Sequence, residues 1–149
     1  MAVPQDISPL NPALMDTLVR GADSEWMPTD DTGQAFMKVL WTGPETGRWA
    51  ALFRWKKGYE APPHKHLSAA HVYVISGRLT VRDDILEAGD YIYERNGMIH
   101  EKTTAVEDTE YLFICDGPVL SFDDQGFTSY FGWEQLERAK IEFEKAKAD

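Results

Sequence analysis

Cysteine is nearly absent. Cys115 is the single thiol in 149 residues, which excludes an internal disulfide framework and suits a reducing compartment. Its setting at 111–115, Tyr-Leu-Phe-Ile-Cys, reads as a buried strand, so the thiol is expected in the core and not as a nucleophile. Basic residues are also scarce: 15 Lys and Arg face 25 Asp and Glu, a net charge of −10. That balance opposes a nucleic-acid backbone, which calls for basic patches and counterion release, and it opposes an anionic membrane surface. A small molecule or another protein is the expected partner. No apolar run approaches the length of a transmembrane helix. The first six residues carry neither a basic nor an apolar signal region, so a cytoplasmic protein without a signal peptide is expected. No internal repeat, low-complexity run or linker is visible.

What the chain does have is aromatic mass, with five Trp, seven Phe and six Tyr. Short apolar runs fall at 36–41, 48–55, 72–75, 78–82, 85–86, 91–93, 100–106 and 111–115, separated by Gly, Pro and Asp-rich turns. Turns every eight to twelve residues mark an antiparallel sandwich or barrel and not an alternating βα chain. In 48–55 the residues Trp49, Ala51, Phe53 and Trp55 share one face by strand alternation. Before these runs, Pro4, Pro9 and Pro12 leave room for one short helix from Asn11 to Arg20. After them, 133–147 holds no Gly or Pro and is rich in helix formers. Glu134 and Glu137 near its start, and Lys145 and Lys147 near its end, suit the helix dipole. Trp133, Leu136, Phe143 and Ala146 fall near one face, with Ile141 beside them. The length suits one domain, divided as an N-terminal extension (1–35), a β-barrel (36–132) and a C-terminal helix (133–149) packed on the barrel or on a partner subunit.

All four histidines lie between His64 and His100. On an extended strand His64 and His66 point to one face, and His71 or His100 could return from another strand to join them. A mononuclear metal site is the leading reading, against a solvent-exposed pair following Pro62 and Pro63. His71 is open between a fourth ligand, a hydrogen-bonding residue behind the ligands, and a residue at a subunit interface. Glu94 and Arg82 have an ordinary alternative as a structural ion pair in the barrel mouth, and Thr103 as a plain strand residue.

These residues resemble the two-part signature of the cupin superfamily. The first part appears as Gly58, five residues, His64-Lys65-His66, four residues, His71, five residues, Gly77. The second appears as Gly89, five residues, Arg95-Asn96-Gly97, two residues, His100, three residues, Thr104. His71 stands where the family's metal-binding Glu lies, Arg95 replaces a Pro, and Thr104 replaces an Asn. The resemblance implies an all-β fold, a single-domain cupin (a double-stranded β-helix or jelly-roll barrel) with a C-terminal α-helix. From Trp41 through Gly132 and Trp133 the chain is similar to the acetylacetone-cleaving dioxygenases, a cupin group with a three-histidine iron(II) site; ChrR-like cupins, which include zinc-binding domains of anti-sigma factors, share the motifs.

That likeness implies His64, His66 and His100 as ligands of Fe(II), with His71 as a possible fourth, and Zn or Ni as metals that the isolated protein could carry. It implies Glu94, Arg82 and Thr103 as the polar residues around the centre, while a Tyr of that group is here Val72. The implied partners are a β-diketone or aryl ketone and O2, in a homodimer or homotetramer. Three neutral imidazoles leave more positive charge on the metal than the common two-His-one-carboxylate set. An anionic bidentate ligand such as the enolate of a β-dicarbonyl supplies that charge. The open alternatives are a non-enzymatic zinc sensor or regulatory cupin, and a metal-dependent isomerase or sugar-modifying cupin.

Overall fold

Alternation of large apolar and polar residues sets the strands, and the strands close around an aromatic interior. The computed structural model describes residues 16–149. The helix expected over 11–20 lies largely outside the described residues, and 16–20 is irregular. A six-stranded antiparallel sheet forms one wall. Its strands are β1 (Met27–Pro28), β2 (Ala35–Gly43), β3 (Arg48–Trp55), β6 (Ala70–Ser76), β9 (Tyr91–Glu94) and β12 (Thr109–Cys115), in the order β1-β2-β3-β12-β6-β9. A second sheet orders β10 (Ile99–His100), β5 (His64–His66), β13 (Val119–Asp123) and β14 (Gly126–Phe131) as β10-β5-β13-β14. The third orders β4 (Glu60–Ala61), β11 (Thr103–Ala105), β7 (Arg78–Val81) and β8 (Asp84–Glu87) as β4-β11-β7-β8.

The central pairing is β3 with β12, where Phe53 stands opposite Tyr111 and Ala51 opposite Phe113. Both strands bury alternate residues: Trp49, Ala51 and Trp55 on one, Thr109, Tyr111, Phe113 and Cys115 on the other. Trp49 is anchored at both ends of its indole. Its Nε1 donates to the Gly117 carbonyl at 2.9 Å, and its ring packs tilted on Phe113 and edge-on to Phe131. Burying such rings removes a large apolar area from water, on the order of 2–3 kcal/mol each.

The expected runs match strands β2, β3, β6, β7, β8, β9, β11 and β12. The β13–β14 hairpin lies where only turn residues were expected, at 117–126 and beyond. It helps to place the histidines, because β13 pairs with β5 and sets Ser121 opposite His64 and Val119 opposite His66. β1 also extends the six-stranded sheet from within the stretch expected as an N-terminal extension, and its Met27 is part of the core.

Helix α1 (Trp133–Ala148) begins at Gly132, whose N–H donates to Gln135 Oε1 at 3.0 Å. Leu136 is fully buried, and Trp133, Ala139 and Phe143 pack beside it on the core. The buried face therefore follows 133, 136, 139 and 143, and Ile141 is left exposed. No helix among the described residues is long and apolar enough to cross a membrane.

Candidate metal centre

Strand β5 aims His64 and His66 into the interior from its two ends, and β10 pairs with it so that His100 stands directly opposite His64. Two backbone bonds lock that pairing just beyond the strand: His66 N–H donates to the Met98 carbonyl, and Gly97 N–H to the His66 carbonyl, both at 2.9 Å. Gly97 has φ +84°, a left-handed turn conformation that glycine adopts without steric cost. The three imidazoles consequently converge. Their ring centres are 5.2 Å (His64–His66), 4.9 Å (His64–His100) and 5.1 Å (His66–His100) apart. One nitrogen from each lies within 4.8 Å of the others.

His66 and His100 are 1% and 3% exposed. His66 Nδ1 and Nε2 and His100 Nδ1 are buried without a hydrogen-bond partner among the described residues. Leaving a buried polar atom unpaired costs about 1–3 kcal/mol. Several on one small cluster fit a cation that accepts their lone pairs, and imidazole nitrogen suits Fe, Zn, Ni and Cu alike. His64 is oriented from behind: its Nδ1 donates to the Pro62 carbonyl at 2.9 Å, which leaves the Nε2 lone pair free. Burial, with the neighbouring His100 and His66, lowers the His64 pKa to about 4 despite the opposing pull of Pro62 and Glu94. The ring is thus neutral and available as a ligand near pH 7.

Glu94, at the end of β9, enters the cluster from the opposing sheet, where it pairs with Ala70. It is 4% exposed. Its Oε2 accepts from His100 Nε2 at 2.6 Å and lies 3.0 Å from His66 Nε2, the second contact being out of line for a hydrogen bond. Burial alone pushes this carboxyl up, but the bond from His100 and the closeness of His66 outweigh it and bring it to about 2. The group is a carboxylate.

Above the cluster opens a cavity of ≈ 300 Å³ lined from all three sheets. Trp49, Phe53, Trp55, Tyr111 and Phe113 come from the six-stranded sheet, Val119 and Ser121 from the histidine sheet, and Leu79, Val81 and Thr103 from the third. Val72 lines it too, at the position that is a Tyr in the resembled dioxygenases.

Two expected site residues stand elsewhere. His71 lies between the buried Ala70 and Val72 on β6, so its side chain projects from the opposite, outer face. There its Nδ1 meets the Tyr91 hydroxyl at 2.5 Å and its ring leans on Tyr93. A fourth ligand from His71 is therefore corrected by strand alternation. Arg82 occupies the turn between β7 and β8 with φ +55°, exposed, and its Nη2 contacts Met98 Sδ at 3.5 Å. It forms no pair with Glu94 and is no part of the cavity wall, because the turn carries it outward. Thr103 is buried and lines the cavity as expected.

Several cavity residues were not singled out from the sequence: Tyr111, the Tyr59–Asp30 pair, and Ser121 and Ser129 on the hairpin. A signal existed for Tyr111, since alternation along 109–115 puts Thr109, Tyr111, Phe113 and Cys115 on one face. Ser121 and Ser129 become apparent only once the hairpin is seen.

Comparison with known proteins places this geometry. A family model described as ChrR Cupin-like domain matches residues 14–120. A curated acetylacetone-cleaving enzyme of Acinetobacter johnsonii is 25% identical over 131 residues, covering 81% of this chain and 86% of that one. Among solved structures, an RmlC-like cupin of Ralstonia eutropha JMP134 superposes with a TM-score of 0.84 at 23% identity, covering 90% of each chain. The acetylacetone dioxygenase of Acinetobacter johnsonii superposes with a TM-score of 0.75 at 21% identity, over 90% of this chain and 95% of that one. The sheets, the helix and the matched stretch agree: the chain is a cupin and belongs to the ChrR cupin-like family.

Proposed function

We propose that the protein is a cytoplasmic non-haem Fe(II) dioxygenase that cleaves a carbon–carbon bond of a β-diketone with O2. The observation that carries this reading is the convergence of His64, His66 and His100, with unpaired buried nitrogens, at the floor of an aromatic cavity. The similarity to an acetylacetone-cleaving enzyme supports the substrate class.

His64, His66 and His100 would hold the metal, which when bound supplies Lewis acidity toward two substrate oxygens and electrons for O2. The rest falls to the chain's own residues. Glu94 Oε2, which already accepts from His100 Nε2, would serve beside the metal as a hydrogen-bond acceptor or proton relay. Thr103 offers a hydroxyl in the cavity wall to orient substrate. The ring wall of Phe53, Trp55 and Phe113 excludes water and strengthens each electrostatic contact inside. The same reading includes a homodimer or homotetramer, for which the outer face of the six-stranded sheet exposes Trp41, Tyr73, Tyr91 and Ile114.

The test is anaerobic reconstitution with Fe(II) followed by acetylacetone. A visible charge-transfer band, then O2 uptake with formation of a carboxylate product on aeration, is expected. His100→Ala should abolish both. Absence of the band together with no O2 uptake across a panel of diketones overturns the reading. The match to the ChrR cupin-like model favours one other function, a non-enzymatic zinc-binding regulatory domain. Stoichiometric Zn(II) retention with no turnover of any ketone by the iron form selects it.

A further inference from the structure

Among the hydroxyls that line the cavity and that the reaction above does not use, Tyr111 is the one set in the aromatic wall without a partner among the described residues. Tyr111 is turned inward on β12, is 6% exposed, and lines the cavity. Its ring is clamped, stacked on Phe53 at 5.2 Å and 14° and set edge-on to Trp55 at 5.2 Å and 85°. The phenol therefore has a fixed direction. The Tyr59 hydroxyl donates to Asp30 Oδ2 at 3.0 Å, and the Tyr91 hydroxyl is engaged by His71. The Tyr111 hydroxyl has no hydrogen-bond partner among the described residues, and the residue lines the cavity. A nearly buried hydroxyl without a partner carries a desolvation cost that a ligand acceptor would offset. Burial first, then the nearby Glu94 and Tyr59, push its pKa well up, so it stays a protonated donor.

Its place along the cavity decides what it meets. A continuous chain of ring contacts links the metal cluster to it: His66 to Phe113 at 5.9 Å, Phe113 to Phe53 at 5.8 Å, Phe53 to Tyr111 at 5.2 Å, Tyr111 to Trp55 at 5.2 Å, and Trp55 to Tyr59 at 5.0 Å. At the far end of this chain the Tyr59 proton is already committed to Asp30, whose Oδ1 is held by Thr32 N–H and Oγ1. The cavity thus joins histidines that chelate to an aromatic wall that suits a flat apolar body, and that wall carries an uncommitted phenol.

We infer that the substrate is a β-dicarbonyl whose flat, aryl-like arm carries a further hydrogen-bond acceptor, and that the Tyr111 hydroxyl donates to it and selects for it. This rests on the β-dicarbonyl reading of the metal site. A small symmetric diketone fills only the chelating zone and leaves Tyr111 unpaired. Tyr111 is a specificity residue in this scheme and takes no part in the bond-breaking step.

The experiment measures binding, without turnover, on the Fe(II)-loaded protein under anaerobic conditions. Dissociation constants are read from the charge-transfer absorbance for 1-phenylbutane-1,3-dione and for its 3-pyridyl and 4-pyridyl counterparts, which match it in shape and add one acceptor nitrogen. The wild type should bind the better pyridyl ligand about tenfold tighter than the phenyl one, the size of one net hydrogen bond. Tyr111→Phe should bring that ratio to within about twofold of unity, with iron content unchanged and phenyl affinity and melting temperature no lower. Equal ratios in the two proteins overturn the inference, as does a variant that weakens phenyl and pyridyl ligands alike. Failure of every dione to bind the iron form instead defeats the reading on which the inference rests, so the two failures are distinct.

Discussion

His64, Arg82 and Cys115 show how backbone position decides what a side chain can do. His64 is a ligand candidate because Pro62 turns its carbonyl to Nδ1 and fixes the ring. Arg82 has a suitable charge, but a turn with φ +55° points it at Met98 and solvent. A non-glycine residue in that region is strained by roughly 1 kcal/mol. Arg82→Gly should therefore raise stability by about 0.5–1 kcal/mol in denaturant titration and leave metal content and turnover unchanged; a loss of turnover beyond tenfold would return Arg82 to the site. Cys115 is wholly buried, and burial pushes its thiol up to about 11 from the ordinary 9.0. Because the folded-state pKa is raised, the contribution to stability is intact below about pH 9 and is lost as pH climbs through 11. Cys115→Ala should flatten that alkaline slope, on the order of 2 kcal/mol between pH 8 and 11. At pH 8 the native thiol should resist a soluble disulfide reagent until the chain unfolds, and rapid labelling of native protein would contradict the buried placement.

Turns position the strands that carry the site, and two glycines separate backbone strain from steric exclusion. Gly77 and Gly89 have φ +83° and +92°, so any side chain strains both. A Cβ on Gly89 meets open space, whereas one on Gly77 would run into the Asp108 carbonyl and Thr109. Thr109 is itself fixed there: its Oγ1 accepts from Arg78 N–H at 3.0 Å, and its single proton is shared between the carbonyls of Arg78 and Glu107, each 2.8 Å away. Gly89→Ala should cost about 1–2 kcal/mol, the left-handed penalty alone. Gly77→Ala should cost at least about 2 kcal/mol more, because the neighbour is backbone and cannot step aside. Equal melting temperatures for the two variants would remove the clash from the account. Gly77 was legible in the sequence as a turn, because it separates the runs 72–75 and 78–82, whereas Gly89 stood out only as a position of the resembled motif. The β13–β14 hairpin was not, although Asp123-Asp-Gln-Gly126 sits between two alternating segments. Its strands are half-buried or exposed throughout, so they lack the apolar contrast that marks β3 or β12. His71 misled for the opposite reason. Motif spacing counts residues along the chain, while strand parity decides the face, and 71 falls on the wrong side of Ala70 and Val72.

At the scale of the molecule the candidate centre lies where two sheets meet. His64 and His66 on β5 and His100 on β10 belong to one sheet, and Glu94 on β9 ends an edge strand of the six-stranded sheet. The bond from His100 to Glu94 crosses this gap, and both His66 nitrogens and His100 Nδ1 have no partner among the described residues. A cation satisfies those nitrogens only in the folded chain, so it should stabilise by linkage, by about 2.7 kcal/mol at a hundred times its dissociation constant. The gain has an address. Amide exchange should slow on metal addition in β5, β10 and β9 together, because ordering the histidine cluster also holds the carboxylate beside it. Helix α1 packs mainly on β2 and β14, not on the strands that carry the histidines, so its exchange should not change below the global unfolding limit. His66→Leu should lose the metal-dependent rise in melting temperature, while its metal-free form melts no lower than metal-free wild type, since leucine replaces a ring whose two nitrogens have no partner. Protection that rises evenly over the whole chain, α1 included, would mean that the ion binds without bridging the sheets.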